Sequence, residues 1–147
     1  MASKFDLILL SGGSGTNAVK YHPDDYDEEI KFIREADRKI IGICLGCEII
    51  ATAFGCTLRK MPARSKGIYN INFGGQKYSV YKSHKFIIDK ITEEVEVLAV
   101  SEDGVEMIKH KTKSIYGLQF HPEIYPHKTQ GRAIFWRIIE DLFSKTK

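Results

Sequence analysis

Several things are scarce or missing in this chain, and each omission removes a class of function. No apolar run approaches the roughly 20 residues that a membrane-spanning helix needs, so no membrane role is expected. No repeat, low-complexity tract or Pro/Gly/Ser-rich linker divides the sequence, which leaves a single domain over residues 1–147 as the expectation. An excess of one charge is also missing. The 22 Lys and Arg stand against 19 Asp and Glu, and the net +3 is spread along the chain, so nucleic acid is not an expected partner. Cysteines number only three; they cannot all pair, and free thiols are expected. The start, Met1-Ala2-Ser3-Lys4-Phe5-Asp6, puts charge where a signal segment would be apolar and offers no cleavage site, so a cytoplasmic location is expected.

What is present reads as a globular enzyme with room for a core, at 43% hydrophobic and 28% charged residues. Phe5–Leu10 is a short apolar run ending in Ser11-Gly12-Gly13-Ser14-Gly15, a buried strand feeding a glycine loop. Pro23 to Glu29 is an acid-rich opening to a helix through about Asp37. Lys39–Ile43 is a strand, Leu45–Phe54 a helix, and Gly55 its C-cap. Ile68–Phe73 and Tyr78–Tyr81 alternate around Gly74-Gly75 and predict a hairpin. Val95–Val100, Val105–Ile108 and Ile115–Leu118 are further strands. A last helix, near 129–143, turns Ala133, Ile134, Phe135, Ile138, Ile139 and Leu142 toward the core. The order predicts an α/β sandwich with an antiparallel extension.

Chemistry concentrates in two places. In Ile40-Ile41-Gly42-Ile43-Cys44-Leu45-Gly46-Cys47-Glu48 a cysteine stands between two glycines where a strand becomes a helix. That is a nucleophile elbow with Cys in place of Ser: the turn is too tight for flanking side chains, and the helix N-terminus favours thiolate. Downstream, Tyr116-Gly117-Leu118-Gln119-Phe120-His121-Pro122-Glu123 ends another apolar strand with a histidine and a carboxylate two residues on, a base and its orienter.

Together these stretches resemble the class I, or triad, glutamine amidotransferase family, over almost the whole chain from Phe5 to the last helix. The resemblance implies a flavodoxin-like, three-layer α/β sandwich with a mostly parallel central sheet and an antiparallel hairpin extension. It implies Cys44 as nucleophile, His121 as base and then acid, and Glu123 as orienter, with the N–H groups of Gly13 and Leu45 in the oxyanion hole. Gly12 and Gly15 fall in the loop that lines the glutamine pocket, and Ser83-His84 matches a segment whose backbone helps hold substrate. The stretch Glu106–His110 followed by Ile115–Phe120 looks most like the glutaminase component of archaeal GMP synthases. No metal and no organic cofactor is implied, and the ammonia acceptor would sit on a partner synthetase. Two departures stand out. Glu48 occupies the place where the family usually has Gln contacting the amino-acid end of glutamine, and a nearby Lys82 or Lys85 is expected to offset its charge. The family's first strand–helix–strand unit is also missing, so the fold is expected to be shortened at the N-terminus. Phe5–Leu10 should then lie at a sheet edge that association covers, most simply in a homodimer.

Other readings compete. Cys44 could be a small core residue, and Cys44-Leu45-Gly46-Cys47 matches a C-x-x-C redox pair, whereas Cys47 is expected to pack as a small apolar residue without a catalytic role. Cys56 with scattered histidines makes a poor zinc set. The glycine loop lacks the Lys-Ser/Thr ending of a phosphate loop. The Asp24–Glu29 run reads as a solvated helix start. Beside glutamine hydrolysis stand two alternatives: hydrolysis of a γ-glutamyl or other amide, with Glu48 reading a different end group, and an inactive regulatory or binding module.

Overall fold

The computed structural model describes residues 6–12 and 18–144. Its strands are β1 (Leu7–Leu10), β2 (Lys39–Ile43), β3 (Leu58–Phe73), β4 (Gln76–Ile88), β5 (Val95–Ser101), β6 (Gly104–His110) and β7 (Ile115–Leu118). Its helices are α1 (Asp27–Glu35), α2 (Leu45–Ala53) and α3 (Gly131–Leu142), with a 3-10 turn at Pro23–Tyr26. Among the described residues the strands form one sheet in the order β1-β2-β7-β6-β4-β3-β5. No helix among them is long and apolar enough to cross a membrane.

The sheet has two faces and a layer on each. Ile8, Leu10, Ile40, Ile108 and Ile115 point to the side covered by α1 and α2. Ile41, Ile43, Met107, Tyr116 and Leu118 point to the side where α3 lays down Ile134, Ile138 and Leu142. Alternate residues of one strand serve both cores, which is why β2 and β7 are nearly unbroken apolar runs. Ala133 departs from expectation. It is exposed, one position off the buried stripe, while Phe135 and Ile139 sit on the stripe's flanks.

The expectation of a mostly parallel sheet is corrected. Among the described residues only β1–β2 and β2–β7 run parallel. The pairings β3–β4, β3–β5, β4–β6, β5–β6 and β6–β7 are antiparallel. Chain connection explains it: α1 lies between β1 and β2, whereas the pairs β3–β4, β5–β6 and β6–β7 are each joined by a short turn that reverses direction. At one of these, Gly74 and Gly75 (φ +60° and +82°) close the Phe73–Gln76 pair, a two-residue turn that L side chains resist. The hairpin is longer than the alternation indicates, because β3 reaches back to Leu58 through polar residues and a register shift between Lys60 and Ser65. Helix α1 stops at Glu35, short of Asp37, where Ala36 turns extended (ψ 140°).

β1 is a sheet edge among the described residues, paired only on its β2 side. Leu9 is 51% exposed there.

Candidate functional site

Cys44 sits where β2 stops and α2 starts, with φ 53° and ψ −104°. A non-glycine residue in that region carries roughly 1–3 kcal/mol of backbone strain, and such strain clusters at functional positions. The surroundings fix it. Its N–H donates to the Leu118 carbonyl at 2.7 Å, and its own carbonyl accepts from the Glu48 N–H at 3.0 Å, the first helical bond. Glycines permit the approach of α2: a Cβ on Gly42 would lie 2.5 Å from the Gly46 carbonyl oxygen, and one on Gly46 only 2.1 Å from that of Leu10.

His121 and Glu123 follow the end of β7. The His121 N–H donates to the Tyr81 carbonyl at 2.9 Å, anchoring this segment to β4. The ring Nδ1 lies 2.8 Å from Glu123 Oε2. Gly12 comes up between histidine and cysteine. A Cβ there would lie 2.9 Å from His121 Cε1 and 3.1 Å from Cys44 Cβ, so both side chains border one point. No Cys44–His121 hydrogen bond is formed; the thiol instead faces the Ser83 carbonyl at 3.6 Å. Gly13 and Gly15 lie outside the described residues. The Leu45 N–H pulls the pKa of the Cys44 thiol down, as does the charge of Arg64. Burial and then the charge of Glu48 outweigh both and raise the thiol to about 12. The resting side chain is therefore a thiol, not the thiolate that the helix N-terminus alone would favour.

Glu48 lies one turn beyond Cys44 and is 5% exposed. Its Oε2 accepts from Gln119 Nε2 at 3.1 Å, and that nitrogen lies 3.9 Å from Cys44 Sγ. Burial lifts Glu48 to about 7, against the Gln119 hydrogen bond. The expected Lys82 or Lys85 counter-charge is not what meets it. Lys82 Nζ is held by Asp103 Oδ2 at 2.7 Å and Glu106 Oε2 at 2.8 Å, and Lys85 is exposed. Ser83 contributes its carbonyl to the thiol, but the His84 side chain turns elsewhere: its Nδ1 meets the Phe86 carbonyl at 2.8 Å. Burial lowers His84 to about 4. With Asp103 and Glu106 it makes the one group among the described residues whose spacing suits a metal ion.

Cys47 is fully buried in the α1/α2 core, its sulfur 2.8 Å from where a Gly117 Cβ would stand, and all three cysteines are free. It packs as a small apolar residue. Two neighbours of the thiol carry no signal of their own in the sequence. Gln119 lies two residues before His121, and its chemistry there depends on Glu48 facing it. Arg64, whose Nη1 donates to Ser83 Oγ at 3.1 Å, comes from the irregular part of β3. No local pattern marks it; only the pairing of β3 with β4 carries it to Ser83.

Comparison with known proteins adds an independent finding. The family model "Glutamine amidotransferase class-I" matches residues 1–140. A subunit of the glutamine-hydrolyzing GMP synthase of Methanococcus maripaludis is 40% identical over 90% of this chain and 71% of its own length. The corresponding protein of Methanothermobacter thermautotrophicus is 34% identical over 72% of this chain and 62% of its own. The chain thus spans about two thirds of the length of these curated relatives. A crystal structure of a Thermoplasma acidophilum protein assigned to the same GMP synthase component superposes with a TM-score of 0.79 at 29% identity, over 93% of this chain and 72% of that one.

Proposed function

The chain belongs to the class I glutamine amidotransferase family, and from that premise we propose that it hydrolyses the side-chain amide of glutamine at Cys44 and passes the ammonia to a partner synthetase. The observation that carries this reading is the strained Cys44 facing, across Gly12, a histidine already paired with Glu123. Because the thiol is protonated at rest, proton transfer accompanies attack. Cys44 sulfur bonds to the amide carbon while His121 takes the thiol proton, and Glu123 holds the imidazolium that results. The N–H groups of Leu45 and Gly13 receive the developing oxyanion. The intermediate collapses as His121 returns the proton to the leaving nitrogen, giving ammonia and a γ-glutamyl thioester. Water, deprotonated by His121, then releases glutamate and restores the thiol. Arg64 is the cation beside the thiol and suits the substrate's α-carboxylate. No step asks for a metal or organic cofactor. The curated relatives support GMP synthase as the setting, with the acceptor chemistry on another chain. A reduced thiol fits the cytoplasm.

An ammonia-release assay tests the reading. Glutamine is the expected substrate; turnover of other γ-glutamyl amides alone, or of none, contradicts it.

Glu48 tunes the nucleophile. Ionised, it opposes the thiolate; protonated or replaced by Gln, it does not. Glu48→Gln is expected to raise the rate of Cys44 alkylation at pH 8 by about threefold or more and to increase glutaminase activity there. Stability follows the same group. Its folded pKa of about 7 lies above the ordinary 4.5, so its contribution is present below 4.5 and lost as pH rises through 7. The Gln variant should escape that loss in thermal melts across pH 4–8. Parallel alkylation and melting profiles for both proteins would remove Glu48 from this role.

The open edge of β1 needs a cover. Leu9 and Ile43 line an apolar cavity of about 340 Å³ with Pro122 and Phe135, beside Glu123. An uncharged edge strand invites pairing. We expect a homodimer through this face, visible by sedimentation at micromolar concentration. A strict monomer leaves the partner synthetase to cover the edge, and Leu9→Lys should then weaken that complex.

A further inference from the structure

We propose that His84, Asp103 and Glu106 form a divalent-cation site for a first-row metal ion of the Mn²⁺ or Zn²⁺ kind, separate from the Cys44 thiol and its partners. The site is assembled by the sheet. β4 brings Lys82 and His84 to one face by alternation, while the β5–β6 turn and the start of β6 bring Asp103 and Glu106. One ligand atom from each of His84, Asp103 and Glu106 lies within 4.8 Å of the others.

The cluster is short of donors. His84 Nδ1 faces the Phe86 carbonyl, which only accepts, so Nδ1 carries the hydrogen and Nε2 presents a lone pair. A backbone carbonyl holding the far nitrogen is the usual support of a metal-bound histidine. His84 is 2% exposed and its Nε2 has no partner; Glu106 is 0% exposed and its Oε1 has none either. Nearby hydrogens are already committed. Lys82 Nζ reaches Asp103 Oδ2, Glu106 Oε2 and Ser101 Oγ, and the Ser101 hydroxyl donates to Glu106 Oε2 at 2.5 Å. Among the described residues no donor meets Oε1 or Nε2. Positive charge is short as well: the carboxyl groups of Asp103 and Glu106 share the single ammonium of Lys82. A cation answers both deficits at once. One imidazole with two carboxylates suits Mn²⁺ or Zn²⁺ better than Mg²⁺ or Ca²⁺, which prefer oxygen alone. Ser101, Asp103 and Lys82 also line a cavity of about 380 Å³, which gives an ion its way in.

Manganese alone is the probe, since it avoids the three thiols and its free ion is read by electron paramagnetic resonance. Titration of the full chain should show saturable binding of one Mn²⁺ at micromolar concentration, displaced by Zn²⁺. His84→Gln should raise the dissociation constant about tenfold or more, with circular dichroism unchanged. Should that variant not fold, Lys82→Met reads the site from the other side: removing the competing ammonium should tighten Mn²⁺ binding by about tenfold. Absence of saturable binding below millimolar Mn²⁺ would overturn the proposal, as would an affinity that neither variant changes; bridging water then satisfies the two lone pairs.

Discussion

Cys44→Ala is expected to lower ammonia release from glutamine by ~10⁴-fold or more, because the step lost is the covalent one and the remaining groups cannot form the thioester. The fold should survive. The thiol's contacts are weak, a 3.6 Å approach to the Ser83 carbonyl and a 3.9 Å approach from Gln119, and alanine fits the same backbone. His121→Ala should lose nearly as much, and the double variant little more than either alone, since nucleophile and base act as a unit. Cys47→Ala is the control. Its sulfur lies in the core under Gly117, so most activity should remain while stability drops modestly. Steady-state rates with melting curves separate the two cysteines. Equal losses at both would return the C-x-x-C pair to consideration as a redox element.

Gly46→Ala should produce the largest change in stability. The added Cβ would lie 2.1 Å from the Leu10 carbonyl oxygen and 2.8 Å from Leu10 C and Cβ. These are backbone or near-backbone atoms, so no rotamer relieves the clash; β1 or α2 has to shift. A cost of about 3 kcal/mol or more is expected, together with loss of turnover, since Gly12 lies two residues past the end of β1 and borders both Cys44 and His121. Denaturant unfolding midpoints measure it. A variant within about 1 kcal/mol of the parent would show that the elbow is looser than its contacts imply.

Local patterns carried far in this chain because the elbow is itself local. Strand, turn and helix follow within fifteen residues, and the glycines at 42 and 46 are required by contacts between neighbouring elements. β2 and β7 have the bounds read from the sequence, Lys39–Ile43 and Ile115–Leu118. Features set by distant pairing were not legible. Arg64 reaches Ser83 only through the shifted register of β3 on β4. Lys82 of β4 and Glu106 of β6 meet across 24 residues of sequence, and alternation alone marks neither as an ion pair. The antiparallel majority of the sheet follows from turns too short for crossovers, which the resemblance to a mostly parallel fold obscured. The charge state of Cys44 also escaped. A helix N-terminus argues for thiolate, but burial and Glu48 act together against it, and neither the depth of the thiol nor the turn of Glu48 toward Gln119 can be read from spacing.

The central claim is that Cys44 attacks the side-chain carbonyl of glutamine, and trapping that bond tests it most directly. Incubation with a glutamine analogue bearing an electrophile in place of the amide, followed by peptide mass spectrometry, should place one adduct on Cys44. Glutamine should protect against it, and His121→Ala should slow it. An adduct on Cys47 or Cys56 with Cys44 unmodified, or labelling of Cys44 that glutamine does not slow, would contradict the account.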